Sequence, residues 1–164
     1  PRQDSYTFVR SEGGLATGLD SLQISMEKHW IGWPGVCVDN ARQQIEIRQH
    51  LETMDFHPIF LSEEQYHDYY EGYSNSTIWP LCHYFFSHTT VRKEYWESYQ
   101  KVNALFCDEI CKQVGSGDWV WIQDYQLMLL PGMLRKRMPN LHIGYFHHKR
   151  GKYHSLWYDS ICRG

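Results

Sequence analysis

Three groups of residues that can do chemistry each follow a short apolar run in this chain of 164 residues. They are the glycine pair Gly13-Gly14, the acidic residue Asp124 and the histidine pair His147-His148. Ligands of open parallel sheets bind beyond the carboxyl ends of the strands, which lie at one edge of the sheet. We therefore expect the three groups to converge on a single site at that edge.

Each of the three groups has a functional and a purely structural interpretation. A glycine pair ahead of a helix lets a phosphate approach backbone N–H groups, but Gly13 and Gly14 fit a plain tight turn equally well. The Asp124 carboxylate can accept hydrogen bonds from sugar hydroxyls, whereas by itself an N-cap for the following helix is the favoured explanation. His148 can serve as a hydrogen-bonding group or base, although a surface histidine at a strand end is the commoner case.

Three aromatic residues form a second candidate cluster, because they lie in or beside connections rich in Gly, Pro and Ser. Trp33, Tyr70 and Trp79 fall outside the periodic stripes that predict core positions. Aromatic rings in loops form stacking platforms for sugars, whose C–H faces are apolar. Core packing explains each ring singly about as well.

No residue pattern in the sequence indicates a metal or a cofactor. His83 and His88 are five positions apart, which matches no zinc signature, and no Walker loop or Gly-x-Ser-x-Gly elbow occurs. We therefore predict a site without metal ligands and without a bound cofactor.

The elements that must position these residues alternate between short apolar runs and amphipathic stretches. Strands are predicted at 6–10, 30–33, 56–61, 119–122 and 141–147, with Pro58 making the third an edge strand or ending it early. Helices are predicted at 41–54, 62–70, 91–114 and 127–137, the second starting with a capping-box pattern at Ser62 and Gln65, and a loop is predicted at 72–80. Strand, helix and strand between 119 and 147 predict a parallel βαβ unit. The predicted fold is α/β and Rossmann-like, with a mainly parallel sheet and flanking helices.

Composition indicates a soluble globular domain and excludes several classes of protein. Aromatic residues make up 16% of the chain and charged residues 21%, which excludes intrinsic disorder. Sixteen basic residues against 19 acidic ones give a net charge of −3, so no nucleic acid is expected as a partner. No apolar run approaches the roughly 18 residues that span a bilayer, so no membrane is expected as a partner. Five irregularly spaced cysteines favour reduced thiols in a cytoplasmic protein.

Six stretches of the chain, taken together, resemble one enzyme family. They run over 13–19, 30–35, 69–80, 99–106, 120–131 and 143–148, of which 120–131 (VWIQDYQLMLLP) is the most specific. In this order they resemble trehalose-6-phosphate synthase, a family of retaining glycosyltransferases with the GT-B fold. The resemblance covers residues 6–148.

The resemblance implies the N-terminal half of a GT-B fold and a reaction without a catalytic metal. Members of the family transfer glucose from a nucleotide-glucose, usually UDP-glucose, to glucose 6-phosphate with retention, so both sugars are implied as partners. Gly14 would lie beside the donor phosphates, Asp124 would orient the reacting sugars, and His148 would contact the donor glucose. The same resemblance assigns the glucose 6-phosphate pocket to three aromatic residues, Trp33, Tyr70 and Trp79.

The chain also departs from the family at both ends of the resemblance. The family's first strand ends in a Ser-Asn-Arg motif that is not found here, and the chain opens on Pro1 rather than Met. Residues 149–152 read KRGK where the family reads IPFP. We therefore expect residues 1–148 to form a partial N-terminal domain lacking its first strand, and residues 149–164 to form a divergent tail. Such a fragment is expected to be inactive by itself, and to be marginally stable or to self-associate as a homo-oligomer.

Two other functions fit the same residues. One is a truncated, non-catalytic protein that keeps a partial sugar-phosphate pocket and is either regulatory or vestigial. The other is a sister activity, either glucosylglycerol-phosphate synthase or a pseudo-glycosyltransferase. Turnover by the chain alone would eliminate the first alternative, and competition binding between glucose 6-phosphate and other acceptors separates the second.

Overall fold

The computed structural model of the chain describes residues 27–147. The strand predicted at 6–10, the glycine turn with Gly14, the histidine His148 and the tail at 149–164 lie outside the described residues, so they stay predictions. The described strands are β1 (Trp30–Gly32), β2 (Phe56–Pro58), β3 (Trp119–Gln123) and β4 (His142–Phe146). The α-helices of the same part are α1 (Ala41–Glu52), α2 (Glu63–Tyr66), α3 (Trp79–Cys82), α4 (Lys93–Gln113) and α5 (Leu130–Arg137).

Within residues 27–147 the strands form two parallel pairs. β1 pairs with β2 in a register that begins at Trp30 opposite Phe56. β3 pairs with β4 over five residues, from Trp119 opposite His142 to Gln123 opposite Phe146. The parallel pairing and the intervening helices confirm the predicted α/β class. β2 ends at Pro58 rather than at residue 61, as expected of a residue that has no N–H to donate.

The helix α4 supplies the central face of the core. Tyr99, Val102, Phe106 and Ile110 are all buried in one cluster with residues of β3 and α5, as their spacing predicts. The fifth residue of the predicted stripe, Tyr95, is half-buried. Within residues 27–147 no helix is both long enough and apolar enough to cross a membrane.

The start of α2 follows the predicted capping box. The Ser62 hydroxyl accepts a hydrogen bond from the Gln65 backbone N–H at 3.2 Å, and the Gln65 side chain accepts one from the Ser62 N–H at 3.1 Å. The exchange satisfies two N–H groups that a helix start would otherwise leave unpaired. The sequence therefore determines this boundary locally.

The loop predicted at 72–80 is wrong, because a π-helix (His67–Ile78) occupies most of it and continues directly into α3. The hydroxyls of Ser74 and Ser76 each donate to the carbonyl five residues earlier, both at 2.7 Å. At Gly72, an added Cβ would lie 2.7 Å from the ring of Tyr95 on α4. Glycine and serine, which predict a loop, are here the residues that let a wide helix form and pack closely on α4.

The connection between β3 and β4 is a short 3₁₀ turn (Tyr125–Leu127) followed by α5. The predicted helix at 127–137 therefore starts three residues later, with Pro131 in its first turn. Lys136 and Arg137 lie in its last turn, where cations interact favourably with the helix dipole. Strand, turn, helix and parallel strand together form the predicted βαβ unit.

Candidate active site

Asp124 lies immediately after β3, in a backbone conformation that residues other than glycine rarely adopt. Its φ is 68° and its ψ is 174°. The Asp124 N–H donates to the Phe146 carbonyl of β4 at 2.7 Å, which holds the backbone in place. Oδ1 of Asp124 accepts from the Tyr125 N–H at 2.8 Å, so Asp124 caps the 3₁₀ turn (Tyr125–Leu127), whereas Leu129 is the N-cap of the α-helix that follows. Backbone of this kind persists only where its surroundings impose it, and such positions concentrate at functional sites.

Two tyrosine hydroxyls fix the turn that follows Asp124. The hydroxyl of Tyr145, on β4, donates to the Asp124 carbonyl at 3.0 Å. The hydroxyl of Tyr99, on α4, donates to the Tyr125 carbonyl at 2.7 Å and accepts from the Met128 N–H at 3.0 Å. Burial raises the pKa of both Tyr99 and Tyr145, so both phenols keep their protons and remain donors at neutral pH.

The side chain of His147 reaches the Asp124 carboxylate from the end of β4. Its Nδ1 lies 3.6 Å from Oδ1 of Asp124. The sequence predicts both histidines of the pair at this edge, but the family resemblance implies a role only for His148, which lies outside the described residues. The register of β3 and β4 is the signal that finds His147, because Asp124 and His147 each directly follow paired residues, Gln123 and Phe146.

Tyr125 connects the Asp124 turn to the π-helix, a link that the sequence analysis missed. Its hydroxyl donates to Oδ1 of Asn75 at 2.9 Å, and its ring lies edge-on to His147 with centroids 6.2 Å apart. Burial, then the neighbouring charge of Asp124 and the phenol of Tyr70, raise the pKa of Tyr125 to about 12. The bond to Asn75 thus joins the Asp124 turn to the helix that also carries Tyr70.

Trp33 and Tyr70 belong to one aromatic stack, joined by a third ring. Trp33 stacks on Tyr66 with centroids 4.5 Å apart, and Tyr66 stacks on Tyr70 at 5.3 Å. Nε1 of Trp33 is buried and has no hydrogen-bond partner in the part of the chain that the structure describes. A buried donor without a partner is costly, so this N–H is a candidate to bind a ligand oxygen.

Trp79, the third predicted aromatic residue, packs in a different group. It stacks on His83 with centroids 4.2 Å apart, and its carbonyl is 2.7 Å from Nδ1 of His83. Phe85 lies parallel to it at 6.2 Å. Trp79 is 39% exposed, so part of the residue remains accessible to a ligand. The structure thus brings Trp33 and Tyr70 together through Tyr66 and places Trp79 on a separate stack.

The arrangement at the end of β3 and β4 suits a ligand with both hydroxyls and apolar C–H faces. A carboxylate, an imidazole and a phenol converge there, and the phenol is hydrogen-bonded to the π-helix that carries Tyr70, the last ring of the aromatic stack. Polar groups of this kind fix the orientation of a ligand, while aromatic faces bury its apolar surface. Among residues 27–147, no three His, Cys, Asp or Glu side chains group closely enough to hold a metal ion.

Comparison with known proteins gives one family. The model for Glycosyltransferase family 20 matches residues 2–150 of the chain. An alpha,alpha-trehalose-phosphate synthase (UDP-forming) of Botryotinia fuckeliana (strain B05.10) is 40% identical over 147 residues, which cover 87% of this chain and 28% of that protein.

Two solved structures share the fold of the described part. One is an alpha,alpha-trehalose-phosphate synthase (UDP-forming) from Burkholderia xenovorans in complex with glucose-6-phosphate, with a TM-score of 0.66 and 27% identity over 84% of this chain and 30% of that chain. The other, from E. coli, is bound with UDP-2-fluoro glucose, with a TM-score of 0.69 and 28% identity over 88% of this chain and 32% of that chain. The chain therefore spans about three tenths of the length of the proteins that it matches.

Proposed function

The chain belongs to glycosyltransferase family 20, and from that premise we propose that it supplies part of the active site of an α,α-trehalose-phosphate synthase. The reaction transfers glucose from UDP-glucose to glucose 6-phosphate with retention and releases UDP. The similar proteins named as UDP-forming synthases support this choice, as do the relatives bound to glucose-6-phosphate and to UDP-2-fluoro glucose. Their greater length supports a role for the chain within a larger enzyme.

The observation that carries the proposal is the proximity of the Asp124 and His147 side chains, next to the turn that the hydroxyls of Tyr99 and Tyr145 hold in place. Oδ1 of Asp124 is 3.6 Å from Nδ1 of His147 and 2.8 Å from the Tyr125 nitrogen, so the carboxylate has a fixed orientation. A fixed carboxylate can accept hydrogen bonds from sugar hydroxyls and hold the acceptor against the donor. It can also stabilise the positive charge that develops on a sugar ring as the leaving group departs.

The aromatic residues supply the apolar part of the site. In the proposed complex Trp33 and Tyr70, linked through Tyr66, form one wall of the glucose 6-phosphate pocket, and Trp79 forms another. Holding two sugars in the reactive geometry lowers the barrier of the chemical step, because the entropy of bringing them together is lost on binding and not in the transition state. Gly14 beside the donor phosphates and His148 at the donor glucose complete the proposal, as the family resemblance implies.

The test uses the complete product of the gene that contains this chain, incubated with UDP-glucose and glucose 6-phosphate. We expect release of UDP together with a disaccharide phosphate, whose anomeric configuration by NMR shows retention. No product from these substrates would overturn the proposal. Product from glycerol 3-phosphate instead would assign the sister activity, and binding of glucose 6-phosphate without turnover would assign the regulatory one.

Two matched variants tie the activity to the site. Asp124→Asn keeps the side-chain shape and removes the charge, and we expect kcat to fall by about 100-fold or more. Asp55→Asn makes the same change at an exposed aspartate that also has a positive φ, 57°, outside the proposed site. We expect this control to retain wild-type activity, and equal losses in the two variants would contradict the role of Asp124.

A further inference from the structure

We propose that Asn75 and Tyr125 are a positioning pair that sets the distance between the aromatic acceptor wall and the Asp124 carboxylate. The inference rests on the proposed function, because it gives a role in that reaction to two residues that touch neither reacting atom. Tyr125 directly follows Asp124, and Asn75 lies on the π-helix that also carries Tyr70. The hydrogen bond between them, 2.9 Å long, spans 50 positions of the chain.

Tyr125 is held at its backbone on two sides, so its side chain acts from a fixed base. Its N–H donates to Oδ1 of Asp124 and its carbonyl accepts from Tyr99. Any displacement of the whole residue would also displace the N–H that orients the Asp124 carboxylate. The hydroxyl is the part of the residue that is anchored to another element, and its partner there is Asn75.

The pair does not titrate in the physiological range. The pKa of Tyr125 is raised to about 12, so the phenol keeps its proton and donates to Asn75 at neutral pH. Asn75 is half-buried, which shields the bond from competing water. The contact thus behaves as a constant mechanical link rather than as a switch or a general acid.

On the other side of the link, the π-helix carries Tyr70, one of the three stacked rings (Trp33, Tyr66 and Tyr70) that form the acceptor wall. Tyr70 stands five residues before Asn75, which is close to one turn of a π-helix, and it continues the stack from Trp33 and Tyr66. Without this bond the wall could still bind the acceptor. The position of the wall relative to Asp124, however, would no longer be fixed. A misplacement of about 1 Å at this distance from the chemistry costs as much as about 100-fold in rate.

The test is a double-mutant cycle on the complete enzyme with UDP-glucose and glucose 6-phosphate. We expect Tyr125→Phe and Asn75→Ala each to lower kcat by about 10- to 100-fold, with KM for glucose 6-phosphate changed less than about threefold. The double variant is expected to lose no more than either single variant, because both remove the same bond. Assays run well below the melting temperature of every variant separate these effects from unfolding.

Tyr73→Phe is the matched control, since it removes another partly buried phenolic hydroxyl from the same π-helix. We expect it to keep wild-type kcat and KM. Losses that multiply in the double variant, or an unchanged kcat in Tyr125→Phe, would overturn the positioning role while leaving the proposed function intact. A wild-type enzyme without turnover would instead overturn the proposed function, and this role with it.

Discussion

Nδ1 of His147 lies 3.6 Å from Oδ1 of Asp124, across the carboxyl end of the parallel pair formed by β3 and β4. The same oxygen accepts the Tyr125 N–H, and the Asp124 carbonyl accepts the Tyr145 hydroxyl. The chain itself therefore sets the orientation of the carboxylate before a ligand binds. Preorganisation of this kind is what electrostatic stabilisation of a transition state requires.

At most positions an alanine variant is more stable than a glycine variant, but the backbone of Asp124 predicts the reverse order. Both Asp124→Gly and Asp124→Ala remove the carboxylate, but only glycine adopts a φ of 68° with a ψ of 174° without strain. We expect the glycine variant to be more stable to unfolding than the alanine variant by about 1 kcal/mol, measured by urea denaturation. Both variants are expected to lose activity to the same extent.

The matched comparison uses Gln49, an exposed residue inside α1. There the usual order holds, so Gln49→Ala should be more stable than Gln49→Gly by about 1 kcal/mol. Finding the same order at both positions would show that Asp124 is not strained.

The unpaired N–H of Trp33 predicts that its removal weakens ligand binding without lowering the stability of the fold. Trp33→Phe keeps an aromatic face against Tyr66 and removes Nε1, which is buried without a partner in residues 27–147. We expect KM for glucose 6-phosphate to rise about fivefold, the value of one neutral hydrogen bond, while the melting temperature does not fall. Steady-state kinetics and a thermal melt of the same preparation measure both quantities.

Trp119→Phe serves as the control for this change. Trp119 is 70% exposed and stacks on His142 at the other end of β3, far along the strand from Asp124. We expect its kinetics to equal those of the wild type. An unchanged KM in Trp33→Phe would remove Nε1 of Trp33 from the proposed acceptor pocket.

The parts of the fold that the sequence predicts are those with local causes. The capping box at Ser62 and Gln65, the end of β2 at Pro58 and the buried stripe of α4 each depend on residues a few positions apart. The family resemblance adds the roles of Asp124, Trp33, Tyr70 and Trp79, which stay predictions. The roles given to Gly14 and His148 stay predictions as well.

The features that the sequence does not predict depend on contacts between distant segments. The π-helix needs the ring of Tyr95 to lie against Gly72, and local rules read its glycine and serines as a loop. The unusual φ of Asp124 depends on its hydrogen bond to Phe146 of β4. The link between Asn75 and Tyr125 joins two segments whose pairing no local spacing indicates.

Glu109 predicts a loss of stability in acid. It is buried on α4, where its carboxylate lies 3.0 Å from Nζ of Lys112 and 3.3 Å from Nη1 of Arg48, with Gln113 donating at 3.1 Å. Burial raises the pKa of Glu109, but the hydrogen bonds from Lys112 and Gln113 and the charge of Arg48 outweigh it, so the pKa lies below its ordinary value of 4.5.

A depressed pKa in the folded state means that Glu109 stabilises the fold fully above its ordinary pKa and progressively less as pH falls through the depressed value. We expect Glu109→Gln to lower the free energy of unfolding at pH 7 by about 2 kcal/mol and to flatten its pH dependence below pH 5. Urea titrations between pH 3 and pH 7 measure both. The control is Glu46→Gln at an exposed pair with Arg42, where the change should stay under about 0.5 kcal/mol. Parallel acid limbs for wild type and Glu109→Gln would contradict this account.

Two glycines inside helices predict opposite effects of the same substitution. At Gly72 of the π-helix an added Cβ would lie 2.7 Å from Cδ1 and 2.8 Å from Cγ of Tyr95, so the whole ring or the helix must shift. We expect Gly72→Ala to destabilise the protein by about 2 kcal/mol, as overpacking does. At Gly132 of α5 nothing lies within 4 Å of the added atom, and Gly132→Ala should stabilise by about 0.5–1 kcal/mol.

The two variants also differ in their expected effect on catalysis, because only the π-helix carries a residue of the proposed acceptor wall, Tyr70. A shift of the π-helix away from α4 moves Tyr70 and Asn75 together, so Gly72→Ala should lower kcat as well as the unfolding midpoint. Gly132→Ala should raise the midpoint and leave kcat unchanged. Since Gly72 touches no ligand in this proposal, a Gly72→Ala enzyme that is destabilised yet fully active below its midpoint would show that the π-helix packs the core without positioning the site.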